Sequence, residues 1–391
     1  MQIDTRFAER LKKINPSSTL TITSKAKKLK SEGIDVVTLA AGEPDFDTPD
    51  FIKEAAIEAI RSGFTKYTPT TGILELKNAI QEKFKKDNHL DYPVSSIVVS
   101  NGAKHSIFNA LFAMVNKGEE VLIPSPYWVS YPEMVRLCDG TPRFIPTLAD
   151  NNFKITIKDL EKYISAKTKA LIINSPSNPT GCVYTKDELE AIAKVCVAKK
   201  IYVISDEIYE KIIFDNLKHV SIASLGKEIF DLTVTVNGLS KSHSMTGWRI
   251  GYLAGPKEII DNISKLQDHT TSNPSSISQK AALAALKAPD DFSLNMCREF
   301  QARRNYVVER LSKIKKLGYV VPQGAFYIFC EIKKTKLDSL TFASRLLDEM
   351  HVALIPGISF GNDKYVRMSF ATNLEQLKKG MDRLEEWVNK L

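Results

Sequence analysis

Apolar runs at residues 97–100, 121–124, 170–174, 201–205 and 232–236 recur between stretches long enough for helices, one of them at about 186–199. Strands that alternate with helices join by crossovers into βαβ units, which predicts an α/β fold with a largely parallel sheet. Such a sheet leaves its loops at the strand ends, where open α/β sheets bind ligands. After Pro256 the pattern turns more helical, with a long amphipathic run at about 291–316. A strand pair within 320–332 is interrupted by Pro322-Gln323-Gly324-Ala325, short strands follow at 352–357 and 365–370, and a closing helix starts at about Asn373. This end of the chain reads as a smaller α+β unit. Near the start, residues 34–39 are strand-like and run into a loop at 40–49 shaped by a Gly and two Pro, after which Asp50 is a fair N-cap for a helix through Ile60.

The turns beyond the strands carry the residues able to do chemistry. Asn101-Gly102-Ala103-Lys104 opens a helix running to about Asn116. Strand, small-residue turn and helix start together aim free N–H groups at a phosphate, a pattern that many α/β turns share. The run 201–209 contains Asp206 and Glu207, an acidic pair that is costly to bury unless paired. Neighbours on a strand face opposite ways, so the two do not act as one dyad. In the stretch 238–251, Lys241 and Arg249 stand eight positions apart among small and hydroxyl residues. A lysine amine of lowered pKa is a nucleophile toward aldehydes. An arginine offers a planar fork of donors to an oxyanion. An aldehyde and a phosphate on one small molecule describe pyridoxal phosphate. On spacing alone, two surface cations in a chain with 54 Lys and Arg fit equally well.

Position by position, 238–251 resembles the pyridoxal-phosphate attachment signature of class I aminotransferases, of the aspartate aminotransferase type. The resemblance implies the type I pyridoxal-phosphate transferase fold: a large domain with a mostly parallel sheet between helices, plus a smaller α+β domain. It divides the chain into an N-terminal arm with part of the small domain at 1–45, a large cofactor-binding domain at 46–285 and a C-terminal small domain at 286–391. It makes Lys241 the Schiff-base lysine and gives the cofactor phosphate to Ser240, Arg249 and the backbone of Gly102, Ala103 and Lys104. The run Asn174 to Gly181 is similar to the family loop whose second Asn, here Asn178, bonds the phenolic oxygen of pyridoxal 5′-phosphate, and Tyr209 fits the second bond to that oxygen. Asp206 fits the carboxylate that keeps the pyridine nitrogen protonated and strengthens the electron sink. Trp128 matches the aromatic that stacks on the ring, although on composition alone it reads as core. Gly42 is placed beside the substrate, and Arg367, which alone would read as a solvated strand residue, matches the clamp on the α-carboxylate. Tyr67 matches a residue that reaches the partner subunit's cofactor phosphate, which implies a homodimer with shared sites.

Composition excludes several other classes. The net charge of +8 comes from scattered lysines and arginines, so no nucleic-acid partner is expected. Five cysteines without zinc spacing, and six histidines without ligand spacing, predict free thiols in a reducing, cytoplasmic compartment and no metal. Neither a long apolar run nor a secretory h-region is present, so no membrane is expected. The Lys, Ser and Thr of 12–30 could hint at a transit peptide, but the family has an arm at this place.

The resemblance implies small-molecule amino acids and 2-oxo acids as partners, in a ping-pong transfer from L-aspartate or another acidic amino acid to 2-oxoglutarate. One family branch holds the distal carboxylate with a partner-subunit Arg, yet 267–274 contains none. Another uses a Lys in the phosphate-loop turn, which Lys104 matches, and some of its members accept prephenate; Thr19 with Lys104 leaves that open. A cation at a helix start is otherwise unfavourable. Two rivals remain: a pyridoxal-phosphate β-lyase on the same fold, and a non-enzymatic regulator. The regulators carry an added DNA-binding domain, whereas this sequence opens almost directly on the arm.

Overall fold

The computed structural model describes residues 8–15 and 18–391, with the backbone alone at Glu9 and at 18–21; the expectation placed on the Thr19 side chain lies outside the described residues. Thirteen strands are formed among them: β1 Val37–Thr38, β2 Ile97–Ser100, β3 Glu120–Ser125, β4 Thr141–Pro146, β5 Thr168–Asn174, β6 Tyr202–Asp206, β7 Thr233–Gly238, β8 Gly251–Ala254, β9 Gly318–Tyr319, β10 Tyr327–Glu331, β11 Val352–Ala353, β12 Ile355–Pro356 and β13 Tyr365–Ser369. Seven make one sheet in the order β2-β8-β7-β6-β5-β3-β4. Only β8 runs against its neighbours, β2 and β7. The expected largely parallel sheet is therefore present.

Both faces of this sheet are covered, which is why its strands read as unbroken apolar runs. Side chains alternate between faces along each strand. Leu122, Leu171 and Val203 pack with Leu189, Ile192 and Cys196 of the helix Lys186–Lys199. Ile123, Ile172, Ile204 and Val234 face the other way, toward Ile107 and Leu111 of the helix Ala103–Met114 and Ile260 and Ile263 of the helix Lys257–Thr270. A capping box starts Lys186–Lys199: the Thr185 hydroxyl accepts from the Glu188 N–H, and the Glu188 carboxylate accepts from the Thr185 N–H.

Several local expectations need correction. β4 has no counterpart among the expected strands, because Pro142 and Pro146 break its pattern; it lies at the sheet edge, where missing N–H donors are tolerated. Asp50 is the first residue of the helix Asp50–Arg61 and not its cap, which is Pro49. The helix that follows Trp128 starts at Ser130, after the chain has turned from β3 to present the indole. The strand expected at 34–39 shrinks to Val37–Thr38, paired with Val352–Ala353. Residues 320–325 are not strand. Their backbone groups bond loops instead: Gln323 N–H donates to the Gly181 carbonyl at 2.8 Å, and the Gln323 carbonyl accepts from Phe214 N–H at 2.8 Å.

A four-stranded antiparallel sheet, β12-β13-β10-β9, lies toward the C-terminus. The helices Asp291–Ser312, Ser339–Met350 and Leu374–Lys390 pack with it through Phe300, Val307, Phe342, Leu346, Leu377 and Trp387. Val37, Leu39, Ile208 and Tyr209 belong to the same cluster. One continuous core thus ties the N-terminal segment and the turn after β6 to the small sheet. Because Ile204 is fully buried two residues before Asp206 on β6, Ile204→Ala is expected to cost about 2–5 kcal/mol. Urea unfolding measures this, and a change under about 1 kcal/mol would contradict the packing described.

Candidate active site

The parallel strands β5, β6 and β7 end side by side, with Asn174 opposite Asp206 and Asp206 opposite Val236. Asp206 is 4% exposed. The Tyr131 hydroxyl donates to its Oδ2 at 2.5 Å, and the Ile208 N–H donates to its Oδ1 at 3.2 Å. Burial nevertheless pushes its carboxyl up to about 6. Lys241 follows β7, and its Nζ donates to the Gly42 carbonyl at 2.6 Å. Desolvation lowers this amine to about 8, against the pull of Glu43. Two groups of opposite charge thus share one poorly hydrated space, and both are shifted toward neutrality.

Beside them lies a cradle suited to an oxyanion. The helix Ala103–Met114 begins directly after Gly102, whose φ is +88°. A Cβ at Gly102 would lie 2.5 Å from Nη2 of Arg249, and a Cβ at Gly251 would lie 2.2 Å from the Ala103 nitrogen. Only glycine at both places lets the Arg249 segment lie against the helix start. Arg249 is itself held at φ 54°, an uncommon conformation for a side chain of that size. Its Nη1 donates to the Thr246 carbonyl at 2.7 Å and its Nη2 to the Asn101 carbonyl at 3.4 Å. The Gly102 N–H is already given to the Ser100 carbonyl at 2.8 Å. Ala103 and Lys104 are left as the first-turn donors, where an α-helix has N–H groups without intrahelical partners.

From the small sheet comes Arg367, on β13. It is 5% exposed, not solvated as a lone strand arginine would be. Its Nη1 donates to Asn178 Oδ1 at 3.0 Å, its Nη2 to the Ala40 carbonyl at 2.9 Å, and its Nε is buried without a partner among the described residues. The guanidinium lies 4.3 Å from the Tyr327 ring centre and 5.0 Å from that of Phe360. Tyr327 and Tyr209 share a hydroxyl–hydroxyl hydrogen bond of 2.9 Å. The Lys104 ammonium stands 5.0 Å from the Trp128 ring centre, and burial together with Arg249 lowers its proton affinity.

Gly42, Ala103, Lys104, Trp128, Asn178, Asp206, Tyr209, Ser240, Lys241, Arg249 and Arg367 all line one cavity of about 380 Å³. Gly102 stands behind Arg249, off the wall. Tyr67 lies elsewhere, 92% exposed at the surface. Sequence reasoning missed Tyr131, Tyr327, Asn174, Thr246 and Phe360, which also line the cavity. Tyr131 stands three residues beyond Trp128 in a run already singled out, and Asn174 opens the loop that holds Asn178. Tyr327 and Phe360 carry no local signal, since only the approach of the small sheet brings them here. The cavity offers helix-start donors and an arginine to an oxyanion, a flat indole to a planar ring, a buried carboxylate to a cationic nitrogen and an amine to a carbonyl.

The family model described as aminotransferase class I and II matches residues 34–384. The chain belongs to that family. As an aminotransferase it is 48% identical over 387 residues to the aspartate aminotransferase of Bacillus sp., covering 98% of this chain and 99% of the relative. It is 47% identical over 394 residues to a probable aspartate/prephenate aminotransferase of Rickettsia conorii, covering 98% of each. Among solved structures, the aspartate aminotransferase from Rhizobium meliloti superposes with a TM-score of 0.96 at 40% identity, covering 99% of this chain and 100% of that one. The aminotransferase has the type I fold of such neighbours.

An amine attacks carbonyls only when deprotonated. The reaction of Lys241 with a small aldehyde should therefore rise as pH climbs through about 8. Peptide mapping after trapping measures this, and a midpoint near the free-lysine value of ~10.4 would contradict the desolvation described. Gly102→Ala should displace Arg249 and weaken binding of inorganic phosphate about tenfold, the equivalent of one charge-assisted hydrogen bond. Calorimetry reads that change, and unaltered phosphate affinity would remove the cradle.

Proposed function

We propose that the chain transfers the amino group of L-aspartate to 2-oxoglutarate, with pyridoxal 5′-phosphate as cofactor. The observation that carries this reading is the convergence of Lys241, Asp206 and the oxyanion cradle in one cavity with the buried Arg367. Ala103, Lys104, Ser240 and Arg249 would hold the phosphate, Asp206 the ring nitrogen, Trp128 the ring face, and Asn178 and Tyr209 the phenolic oxygen. When bound there, pyridoxal phosphate supplies the carbonyl and the electron sink of the transfer.

The residues divide the remaining work. Arg367 is directed by Asn178 and Ala40 and supported by the Tyr327 ring, so its fork is preorganised for the α-carboxylate of an amino acid. Lys241 Nζ, lowered to about 8, is neutral often enough to take a proton from the substrate α-carbon as base and to give it back as acid on the far side of the substrate nitrogen. Asp206 is ionised above about pH 6 in this environment, and a cationic nitrogen facing it favours the carboxylate further. The order is ping-pong: the first 2-oxo acid leaves before 2-oxoglutarate enters the same cavity.

The choice of an acidic donor rests on Lys104, whose ammonium lines the cavity and is free of any carboxylate ion pair among the described residues. The region 267–274 does not compete for this role, since Gln267 is fully buried and spends its amide on the Thr70 and Val99 carbonyls. Relatives named aspartate aminotransferase support this choice. Prephenate as an alternative acceptor is favoured by the relatives named probable aspartate/prephenate aminotransferase. The chain works as a two-fold homodimer in which Tyr67 serves the partner's cavity, and its arm, large and small domains divide near 45 and 285. No described helix is long and apolar enough to cross a membrane, and all five cysteines are free. A reducing cytoplasm suits that state.

Lys241→Ala should abolish transfer from L-aspartate to 2-oxoglutarate in a coupled assay; wild-type turnover by this variant would refute the central assignment. Lys104→Gln should raise KM for L-aspartate about tenfold while leaving KM for L-alanine within about twofold, the loss of one charge-assisted contact. Equal effects on both donors would remove Lys104 from substrate selection.

A further inference from the structure

The turn that carries Asp206 and Tyr209 toward the cavity sends its other two ionisable side chains, Glu207 and Glu210, the opposite way. Glu207 is 1% exposed. Four donors surround its carboxylate: Ser205 Oγ at 2.8 Å and Ser221 Oγ at 2.7 Å on Oε1, and Asn88 Nδ2 at 3.0 Å and His219 Nε2 at 2.9 Å on Oε2. A carboxylate has about four acceptor sites, so Glu207 is saturated. Glu210 receives the same Asn88 amide at 2.7 Å and pairs with the buried Lys83 ammonium. The two carboxylates and the imidazole lie close enough to share a cation, and Lys83 supplies it. Asn88 and Lys83 belong to the helix Leu74–Asn88, which is remote in sequence from the turn. The cavity side chains make no hydrogen bond to this network, yet three of them, Asp206, Ile208 and Tyr209, sit on the five-residue turn it grips.

Resting on the functional reading above, we propose that Glu207 is a positioning residue. Held by Asn88, Ser205, Ser221 and His219, and assisted by the Lys83–Glu210 pair, it fixes the turn so that Asp206 and Tyr209 point into the cavity. The alternation is what transmits the hold. With Glu207 and Glu210 pinned on one side, the side chains of 206 and 209 have only the other side to occupy. Asp206 is further fixed through its carbonyl, which accepts from Asn174 Nδ2 at 3.0 Å and from Ser175 N–H at 3.2 Å. Charge balance agrees: burial works against a protonated His219, but Glu207, together with Glu210, outweighs it and raises the imidazole, while Lys83 opposes. A protonated His219 would join Lys83 in facing the two carboxylates.

Glu207→Gln separates position from charge by sign. The Glu207 charge raises the proton affinity of Asp206, so removing charge alone would favour the Asp206 carboxylate and leave turnover undiminished. Gln also places an NH2 group where donors already converge, which loosens the turn. The expected result is kcat for L-aspartate down about 10–100-fold, the usual range for an outer partner of a reacting group. KM should stay within about threefold, because Arg367 is untouched, and binding of pyridoxal phosphate to the apoprotein should weaken about tenfold. Ser221→Ala, which deletes one donor and no charge, should move the same quantities in the same direction by less, and serves if Glu207→Gln fails to fold. Wild-type kcat and cofactor affinity per folded molecule, whatever the melting temperature, would overturn the proposal. Should the wild-type protein neither bind pyridoxal phosphate nor consume L-aspartate, the functional reading fails, and carbon-13 NMR of His219 decides the network alone. A midpoint above the free value of ~6.5 that drops in Glu207→Gln supports it, and a midpoint at or below that value removes it.

Discussion

Desolvation of Asp206 and Lys241 at the ends of neighbouring strands is the constraint on which the site depends. In water the two would be a permanent anion and a permanent cation. In the cavity the carboxyl rises to about 6 and the amine falls to about 8. That brings the lysine close to the pH at which an amine exchanges protons with substrate. The cost of holding a buried carboxylate is offset by the Tyr131 hydroxyl and the Ile208 N–H, which account for two of its acceptor sites. The sheet makes the arrangement possible because parallel strands end together, and β5, β6 and β7 deliver Asn174, Asp206 and Lys241 to one edge.

The second requirement is a lid on that edge, and the small sheet provides it. Arg367 bonds Asn178 from the loop after β5 and the Ala40 carbonyl from the N-terminal segment. One guanidinium therefore ties three parts of the chain around the cavity. Tyr209 and Tyr327 repeat the connection with their hydroxyl pair, since one belongs to the turn after β6 and the other to β10. Beneath these contacts the apolar cluster around Phe300, Phe326 and Phe370 runs continuously from the small sheet to Ile208 and Tyr209. Packing of the two sheets and shape of the cavity are thus one property.

Much of the frame was legible in the sequence. The runs at 97–100 and 201–205 are apolar because both faces of the sheet are covered, so the strands announced themselves. β4 did not, because its prolines are acceptable only at an edge, and whether a strand is an edge is decided by its neighbours. Asp206 and Lys241, which line the cavity from the turns, stand beside strand ends and were readable as turn chemistry, whereas Asn178 was found through the resemblance of its loop. Tyr327 and Phe360 were not, because they reach the cavity only through the approach of the small sheet. Arg367 misled in the other direction: its strand gives no hint that it is buried, and resemblance alone pointed to it. Three of the four donors around Glu207 were invisible for a related reason, being drawn from a helix end at Asn88 and a loop at 219–221 that sequence order keeps far apart.

The most direct test of the account is the visible absorption of the purified protein loaded with pyridoxal phosphate, recorded before and after adding L-aspartate with no 2-oxo acid present. The account predicts a visible band that depends on Lys241 and is lost on adding L-aspartate, with oxaloacetate released in amounts matching the cofactor. A band that persists unchanged with L-aspartate, or no band at all after pyridoxal phosphate is supplied, would contradict it.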